Sequence, residues 1–467
     1  MNRREFLKGT AWMSIAAAFG GCNSLKLGSS VGAPMANFAA PALERIRIGF
    51  VGVGSRGTFA VKRIALIPGV EIAALCDVNE EAIAKNEAFL KEKHLPAPRR
   101  FVGPEAYKNL CDWDGVDVIY ACTPWELHVP VACAAMDGAK HAFVEVPAAM
   151  NVDECWRLVK KSEETRRHCM MLENCCYGEN EMLALNMVRQ GLFGDIVYGE
   201  AGYLHDCRYL FNDPDEWRLD WYAKHCGNIY PTHGLGPVAQ YMNINRGDQF
   251  DYLVSMESPS LALPQYWKEK FPDDRRFDKW HIKSGDMNTA LVKTMNGNTI
   301  FLGYTVNVPH PYSRMNTIQG TKGILTDFPL RIAFEDGKDR KVKREFDLKE
   351  TEELKALYKH PMWKVAGEVA AKVGGHGGMD FIMDLRWIYC LQNGLPLDMD
   401  VYDLAAWSSI AELTEKSVLS RSEPIDIPDF TRGGWRTMKP LGIEMIDLKK
   451  MHLDDASLDT SSPQQTI

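Results

Sequence analysis

The sequence predicts an α/β protein in two parts: a domain of alternating strands and helices, then an α+β domain with a mainly antiparallel open sheet. Three observations lead to this prediction. An apolar strand at 46–51 runs into a glycine-rich turn and a helical pattern that reaches Leu66. Short strands and helical stretches then alternate to about residue 172, which is typical of a parallel sheet. Beyond residue 196, strands dominate and turn residues separate them, which is typical of antiparallel pairing.

Length and composition narrow the class of protein. The 467 residues fit two domains, and 46% hydrophobic with 25% charged residues is ordinary globular composition. A net charge of −8 argues against a nucleic-acid partner, which requires a basic face. The twelve cysteines contain no C-x-x-C pair, and the histidines show no metal-binding spacing. We therefore expect neither a metal site nor a nucleic-acid interface.

The N-terminus has the pattern of an export signal. Arg3 and Arg4 precede Phe-Leu-Lys, a short apolar run at 11–19, and Cys22 after two glycines. The apolar run is too short to span a bilayer. The paired arginines resemble a twin-arginine signal, and Cys22 resembles a lipoprotein attachment site; a plain cleaved signal is the alternative. We expect residues 1–44 to be signal and tether, and the protein to be periplasmic or membrane-anchored.

The glycine-rich turn predicts a dinucleotide site. Gly52, Gly54 and Gly57 form a G-x-G-x-x-G pattern between strand and helix, the context that gives this motif meaning. The first glycine allows a tight turn, the second lets the backbone approach a pyrophosphate, and the third allows close helix packing. The phosphates would meet the helix N-terminus. We therefore expect a Rossmann dinucleotide-binding domain over 45–172.

An acidic residue indicates which dinucleotide is bound. The strand at 71–76 ends at Asp77, twenty residues beyond Gly57. A carboxylate at this place accepts hydrogen bonds from ribose hydroxyls and repels a 2′-phosphate, which favours NAD over NADP. Alternatively, Asp77 caps the helix that begins near Asn79, and both roles are compatible.

Further strands are expected at 117–121, 141–144 and 169–172. The carboxyl ends of parallel strands border the ligand crevice of such a sheet. Trp125, His128 and Glu145 follow two of these strands, and we expect them to border the cofactor.

The second domain is expected over 173–430, with a partly frayed segment at 431–467. Its first helix covers 179–190, and Gly191 suits the position after the helix end. Asn296-Gly297 and Asp336-Gly337 are hairpin signals. The predicted strands are 196–203, 250–256, 288–295, 299–306, 314–319, 323–327, 331–334 and 342–346. Helices return at 379–392 and 402–419, and no membrane span or repeat is visible.

Several motifs of the first domain resemble the glucose–fructose oxidoreductase and inositol dehydrogenase family, Gfo/Idh/MocA. These are Cys-Asp-Val-Asn at 76–79, Thr-Pro-Trp at 123–125 with His128, and Glu-Val-Pro at 145–147. Members of that family usually have Glu-Lys-Pro at the last site, and its lysine assists hydride transfer. Val146 cannot take or give a proton, which argues against dehydrogenase chemistry of that kind.

A closer resemblance is to glycoside hydrolase family 109, the NAD-dependent α-N-acetylgalactosaminidases. It extends from about residue 45 to 430 and rests on the segments 145–147, 173–177, 203–206 and 227–237, of which the last is the most specific. It implies removal of terminal α-linked N-acetylgalactosamine with retention. The implied cycle is oxidation at C3, elimination across C2 and C1, addition of water, and reduction, with one tightly bound NAD.

The resemblance also assigns site residues. The residues expected to line NAD, in addition to Gly52, Gly54 and Gly57, are Ser55, Arg56, Asp77, Trp125, Glu126, Leu127, His128, Glu145, Val146 and Asn174. Those expected to line the sugar are Tyr203, Arg218, Tyr230, Pro231, Thr232, His233 and Tyr312. His233 is the first candidate for acid–base work, because imidazole titrates near neutral pH and lies in a loop-like segment. Tyr312 and Tyr177 are secondary candidates, and Glu145 is a further contributor.

Two other functions fit the same residues. One is an exported NAD(P)-dependent sugar oxidoreductase, and the other is a non-catalytic sugar-binding lipoprotein that keeps an old dehydrogenase fold. The sequence does not identify the natural glycan. We expect a homo-oligomer, because the open sheet of the resembled family commonly pairs subunits.

Overall fold

The computed structural model describes residues 34–213, 216–274, 281–335, 348–440, 442–443, 446–447 and 451. These residues belong to one compact unit that contains two sheets. The export signal with Arg3, Arg4 and Cys22, the turn at 336–337 and the strand at 342–346 lie outside the described residues. Within the described part, no helix has both the length and the apolar character of a membrane span.

The first sheet has six parallel strands in the order β3-β2-β1-β4-β5-β6. They are β1 Ile46–Val51, β2 Val70–Asp77, β3 Arg99–Val102, β4 Val118–Ala121, β5 His141–Val144 and β6 Cys169–Met171. The helices between them are α1 Ser55–Ile64, α2 Glu80–Glu92, α3 Ala106–Asp112, α4 His128–Asp137 and α5 Val152–Thr165. Every residue of β4, β5 and β6 is buried, as expected for strands covered on both faces. The predicted Rossmann architecture is confirmed, and the strand order reverses beside β1, where ligands bind in such sheets.

The edge strand β3 was not predicted from the sequence. Only Phe101 of its four residues is buried, and the others are exposed, so it has neither an apolar run nor a regular alternation. Pairing with the end of β2 alone makes it a strand.

The second sheet has eight strands in the order β13-β12-β11-β7-β10-β9-β8-β14. They are β7 Ile196–Leu204, β8 Phe250–Glu257, β9 Asn288–Thr294, β10 Thr299–Thr305, β11 Thr317–Gly320, β12 Gly323–Thr326, β13 Arg331–Phe334 and β14 Ile425–Asp426. Its pairs are antiparallel except β7 with β10, which confirms a mainly antiparallel sheet. The Asn296-Gly297 turn joins β9 to β10, with Gly297 at φ +94°.

The strand expected from residue 314 begins only at Thr317. Met315 and Asn316 have positive φ values, which interrupt an extended strand. The two-residue strand β14 was not predicted, because so short a segment has no periodic pattern.

Eight described helices follow β6. They are α6 Glu179–Arg189, α7 Arg218–Lys224, α8 Thr232–Tyr241, α9 Ala262–Lys270, α10 Leu348–Tyr358, α11 Pro361–Val373, α12 Met379–Asn393 and α13 Val401–Leu419. Residues 379–391 of α12 are all buried, so this helix is enclosed on every side. It contacts α1 and β1, while α13 contacts α5 and β8. The C-terminal helices therefore bring late residues of the chain to the glycine-rich turn.

Candidate functional site

The three glycines after β1 serve different purposes. Gly52 has φ +83°, and a Cβ there would lie 2.7 Å from the Cys122 carbonyl oxygen. A Cβ on Gly57 would lie 2.0 Å from the Gly52 carbonyl oxygen. A Cβ on Gly54 would meet no atom of the described residues within 4 Å. The first and third glycines are therefore required by packing within the protein, while Gly54 borders open space at the start of α1.

Asp77 holds the end of β2 against this turn. Its Oδ2 accepts the backbone N–H of Val53 at 2.7 Å, and its Oδ1 accepts that of Asn79 at 2.9 Å. The side chain that caps α2 is Asn79, which accepts the N–H of Glu81. The capping alternative for Asp77 is therefore wrong, and its half-buried carboxylate stays beside the glycine turn.

Two residues predicted to line NAD meet at a carboxylate from α12, and a third, Glu145, joins them through Arg56. Arg56 Nε donates to Glu145 Oε1 at 2.7 Å, and its Nη1 donates to Asp380 Oδ2 at 2.9 Å. Asn174 Nδ2 donates to the other oxygen of Asp380. Burial raises the pKa of Asp380, but the guanidinium groups of Arg56 and Arg63 bring it well below its usual value. Sequence reasoning missed Asp380, which lies more than three hundred positions after Arg56.

The loops after β4 and β5 are tied together by His128. Its Nδ1 lies 2.8 Å from the Pro147 carbonyl oxygen, and its Nε2 lies 2.8 Å from that of Thr123. The ring is buried and both nitrogens contact the backbone, so the structure turns this imidazole toward the protein. Trp125 and Val146 are buried, Leu127 is half-buried, and the exposed members of the predicted set are Gly54, Ser55 and Glu126.

The predicted sugar residues gather in one aromatic cluster. The Tyr203 ring lies 5.1 Å from that of Tyr230, 5.4 Å from that of His233 and 6.0 Å from that of Tyr312. Trp125 joins the cluster through Tyr230, at 6.0 Å between ring centres. Because Trp125 follows β4, the cluster adjoins the cofactor domain.

Arg218 lies at the edge of this cluster. Its guanidinium carbon is 4.2 Å from the centre of the Trp217 ring and 5.9 Å from that of Trp125. Its Nη1 donates to Glu216 Oε1 at 2.6 Å. The remaining donors of this planar group can bond a sugar oxygen.

The segment around His233 is not the loop that the sequence indicates. Thr232 begins α8 directly after Pro231, and Thr232 is fully buried. Glycines at 234 and 236 are poor helix formers, which explains the wrong expectation. They are required by packing: a Cβ on Gly234 would lie 2.2 Å from the Gly202 nitrogen of β7. Close packing of α8 on β7 therefore overrides helix propensity.

His233 is held by a buried carboxylate. Its Nδ1 lies 2.6 Å from Glu173 Oε1, which also accepts the backbone N–H of Cys175 at 3.1 Å. Glu173 has no exposed surface. Burial raises the pKa of Glu173, but the nearby His233 imidazole lowers it below the ordinary value. An ionised Glu173 accepts a hydrogen bond from Nδ1–H of His233, so Nε2 is the ring nitrogen on the far side of the imidazole from Glu173. Glu173 directly follows the predicted strand at 169–172, and nothing in the sequence alone indicates a role for it.

The two tyrosines proposed for proton transfer have different surroundings. Tyr312 accepts a hydrogen bond from Arg314 Nη1 at 2.7 Å, and Arg314 pairs with Glu181. Burial raises the pKa of Tyr312, although Arg314 opposes that shift. Tyr177 is fully buried, and its hydroxyl donates to Asp398 at 3.1 Å. The structure therefore brings Tyr312 to the aromatic cluster and turns the Tyr177 hydroxyl to a different carboxylate.

Two family models match this chain. Residues 46–173 match the oxidoreductase family with an NAD-binding Rossmann fold, and residues 177–437 match the C-terminal domain of glycosyl hydrolase 109. The chain belongs to glycosyl hydrolase family 109. The resemblance seen in the sequence is thus confirmed, and the first domain of this glycosidase is an NAD-binding domain.

Relatives in family 109 align over nearly the whole chain. A family 109 protein of Shewanella pealeana is 47% identical and covers 95% of this chain and 99% of its own. One from Shewanella sp. strain W3-18-1 is 45% identical over the same shares.

Solved structures show the fold alone, at 17% identity. An NAD-binding oxidoreductase from Klebsiella pneumoniae has a TM-score of 0.64 and covers 83% of this chain and 100% of its own. A levoglucosan dehydrogenase in complex with NADH has a TM-score of 0.61 and covers 82% and 100%.

The residues of this family 109 chain fit NAD. The open space at Gly54 accommodates a pyrophosphate against the N-terminus of α1, and Asp77 lies at the end of β2 beside it. Arg56 follows Ser55 at the start of α1 and bonds Glu145 directly and Asn174 through Asp380. Contact of these residues with the cofactor stays a prediction.

A group of potential metal ligands lies within the site. Atoms of Glu173, Cys175 and His233 lie within 4.8 Å of one another. Hydrogen bonds already join Glu173 to His233 and to the Cys175 backbone, and the absence of a metal stays a prediction. The eleven cysteines within the described residues are free thiols.

A separate cavity of about 310 Å³ has none of the predicted site residues in its lining. Among its described charged groups, Arg246 pairs with Asp400 and Arg386 pairs with Asp398. These four charges therefore form two ion pairs within the lining.

Proposed function

We propose that this family 109 glycosidase removes terminal α-linked N-acetylgalactosamine from glycans, with retention, through oxidation, elimination, addition and reduction. The observation that carries the proposal is the Glu173–His233 pair. Its imidazole lies against Tyr203 and Tyr230, and Tyr230 lies against Trp125 of the cofactor domain. A proton-transfer group therefore adjoins the NAD crevice, as a cycle that couples proton and hydride transfer requires.

His233 is proposed to move the proton at C2. Bound NAD supplies reversible hydride acceptance at C3, and the C3 ketone makes the C2 proton acidic. Nε2 of His233 takes that proton while Nδ1–H stays bonded to Glu173, whose charge stabilises the imidazolium. The bond from C1 to the leaving oxygen then breaks with its electron pair on that oxygen, which takes a proton and departs as the alcohol. Water adds its hydroxyl at C1 and releases a proton in exchange, and His233 returns its own proton to C2.

Other residues bind and orient the sugar. Arg218 stays protonated, so it donates hydrogen bonds to sugar oxygens and does not act as a base. The Tyr312 hydroxyl is held by Arg314 at 2.7 Å, which fixes its position beside Tyr203. Val146 is buried and carries no proton, so acid–base work at this place falls to the cluster.

The assay is release of aglycone from chromogenic α-N-acetylgalactosaminide by the purified protein, with bound NAD and NADH measured together. We expect hydrolysis without accumulation of NADH, and His233→Ala should lose about 10²–10⁴-fold in kcat. NADH that accumulates with an oxidised sugar would identify an oxidoreductase instead. Sugar binding without turnover in the NAD-loaded protein would identify a binding protein.

We further propose export of the folded, NAD-loaded chain by the twin-arginine route. Arg3 and Arg4 support this route, and a hydrolase that recycles its cofactor needs to be loaded only once, in the cytoplasm. Arg3→Lys with Arg4→Lys should retain active protein in the cytoplasm. Loaded, active protein delivered by an unfolded-chain signal would contradict the link. Attachment of lipid at Cys22 is tested by mass spectrometry of the exported protein.

We also propose that two copies pair through the outer face of the second sheet. Leu291 lies opposite Val254, on the same face as Tyr252 and Met256. The side chains of Leu291, Tyr252 and Met256 are exposed, an apolar group that is typical of an interface. Light scattering should give the mass of a dimer or larger oligomer, and Leu291→Glu should give a monomer.

A further inference from the structure

A second group of protic side chains, one buried and two half-buried, adjoins the aromatic cluster. Tyr203 is the penultimate residue of β7, and His205 and Cys207 lie in the short segment that follows the strand. His205 Nδ1 lies 3.3 Å from the Tyr203 hydroxyl and 3.3 Å from the Cys207 sulfur. His205 lies within the segment 203–206 that carries the family resemblance, and the resemblance assigns it no role.

The tautomer of His205 sets the direction of these hydrogen bonds, because a phenol and a thiol can each donate or accept. In the Nε2–H tautomer, Nδ1 is the acceptor and the Tyr203 hydroxyl donates to it across 3.3 Å. Burial raises the pKa of Tyr203 and raises that of Cys207 to about 11, so both keep their protons at neutral pH. Burial lowers the pKa of His205, and Asp206 only partly offsets this. His205 is therefore a neutral acceptor.

The other groups that face His205 leave it in this state. Asp206 is paired with Arg208, at 2.7 Å between nitrogen and oxygen. The rings of Tyr209 and Tyr312 lie 6.4 Å and 5.0 Å from the imidazole, both in edge contact. The Tyr312 contact also brings His205 against a predicted sugar residue.

We propose that His205 is the positioning residue through which Tyr203 takes the hydroxyl proton of the sugar during its oxidation. This rests on the proposed function. As the C3 hydride leaves for the cofactor, the C3 O–H bond breaks and its electron pair forms the ketone. The hydroxyl proton goes to the Tyr203 oxygen, and the phenol proton goes to Nδ1 of His205. The imidazolium returns a proton by the same route when the ketone is reduced.

With Val146 at the family's lysine position, alcohol oxidation requires another proton acceptor. An apolar side chain cannot accept the proton that alcohol oxidation releases. His233 is held by Glu173 for a different proton, that of C2. The Tyr203–His205 pair provides a second acceptor in contact with the same cluster, because the Tyr203 ring lies 5.4 Å from that of His233.

The first test measures the oxidation step alone, as the rate of NADH formation when the NAD-loaded protein meets free N-acetylgalactosamine. His205→Ala should slow this step at least about tenfold, on the scale of general base catalysis. Added imidazole should restore the rate, because His205 is only half-buried. Tyr203→Phe should also form NADH slowly, and added imidazole should not restore its rate. Cys207→Ala should form NADH at close to the wild-type rate. His281→Ala, at an exposed site, is the matched control.

Wild-type rate in His205→Ala, or a loss that imidazole does not restore, would overturn the proposal. So would a Cys207→Ala variant as slow as Tyr203→Phe, because the thiol would then be the partner. A wild-type protein without any cofactor reduction by the sugar would instead count against the proposed function.

A second measurement is independent of turnover. Nitrogen-15 NMR of the histidine side chains should show an unprotonated Nδ1 on His205 in the NAD-loaded protein at neutral pH. Tyr203→Phe should shift that resonance more than Cys207→Ala does. A protonated Nδ1 would mean that His205 donates to Tyr203, and the proposal would be wrong even if the enzyme is a glycosidase.

Discussion

Glu173→Gln tests whether a buried carboxylate makes His233 a proton acceptor. Glutamine has nearly the same shape, and its side-chain oxygen can still accept the Cys175 N–H at the observed 3.1 Å. The substitution removes the negative charge that faces the His233 imidazole at 2.6 Å. A hydrogen bond to a charged group contributes about 1.5–3 kcal/mol. At about 1.36 kcal/mol for each tenfold change in rate, kcat should fall about 10- to 150-fold.

The assay compares kcat, KM, bound NAD and melting temperature in wild type, Glu173→Gln and a control, Glu179→Gln. Glu179 pairs with Lys355 and Lys359 outside the aromatic cluster, so the control removes a paired carboxylate of the same type. We expect NAD content to be unchanged in both variants and kcat to fall only in the first. Full kcat in a correctly folded, NAD-loaded Glu173→Gln protein would refute the reasoning.

The low pKa of Glu173 adds a pH dependence to the same comparison. A carboxyl whose folded pKa is depressed contributes stability above its unfolded pKa of about 4.3 and loses it as pH falls through the folded value. The difference in melting temperature between wild type and Glu173→Gln should therefore be largest near neutral pH and shrink in acid. A difference that does not change with pH would show that the charge is irrelevant to stability.

Gly54→Ala should leave the melting temperature unchanged and lose bound NAD. Gly57→Ala should lower both the melting temperature and the amount of bound NAD, because its Cβ would lie 2.0 Å from the Gly52 oxygen. Thermal melts and the nucleotide released on denaturation measure the two quantities. Asp77→Ala should weaken NAD binding about 10- to 150-fold, measured by calorimetry, since it removes about 1.5–3 kcal/mol of charged hydrogen bonding. Burial raises the pKa of Glu257 to about 7, so the folded state keeps a proton that the unfolded state loses above about pH 4.3. The stability of the wild-type protein should therefore fall as pH rises from about 4.3 to about 7. The melting temperature of Glu257→Gln should exceed that of wild type at about pH 8, and the two melting temperatures should be equal below about pH 4.

The parts of the site that the sequence predicts correctly are those with local causes. The glycine turn, the strand before it and Asp77 lie within one βα unit and the strand that follows, so spacing alone relates them. The hairpin at Asn296-Gly297 is equally local, because the turn residues themselves favour it.

The parts that the sequence does not predict depend on distant contacts. Asp380 reaches Arg56 only because α12 folds back onto the first domain. Glu173 and His233 are sixty positions apart, and nothing in their spacing indicates a 2.6 Å contact. The start of α8 contradicts helix propensity because two glycines allow it to pack on β7.

The second sheet shows the same limit. Alternation along its strands predicts their existence, but it does not distinguish the parallel pair of β7 and β10 from the antiparallel pairs around it. That pairing matters for the site, because it fixes Tyr203 at the end of β7 beside Tyr304 of β10. Register of this kind depends on the whole sheet and not on one strand.

In the proposed mechanism, the glycosidic bond is broken by elimination from an oxidised sugar. The most direct test of this mechanism is hydrolysis of an α-N-acetylgalactosaminide in D₂O, followed by NMR of the released sugar. Removal and return of the C2 proton through His233 predicts deuterium at C2 of the product, and no deuterium at C3, because that hydride returns from the cofactor. Product formed at full rate with an unlabelled C2 would mean direct displacement and would contradict the account.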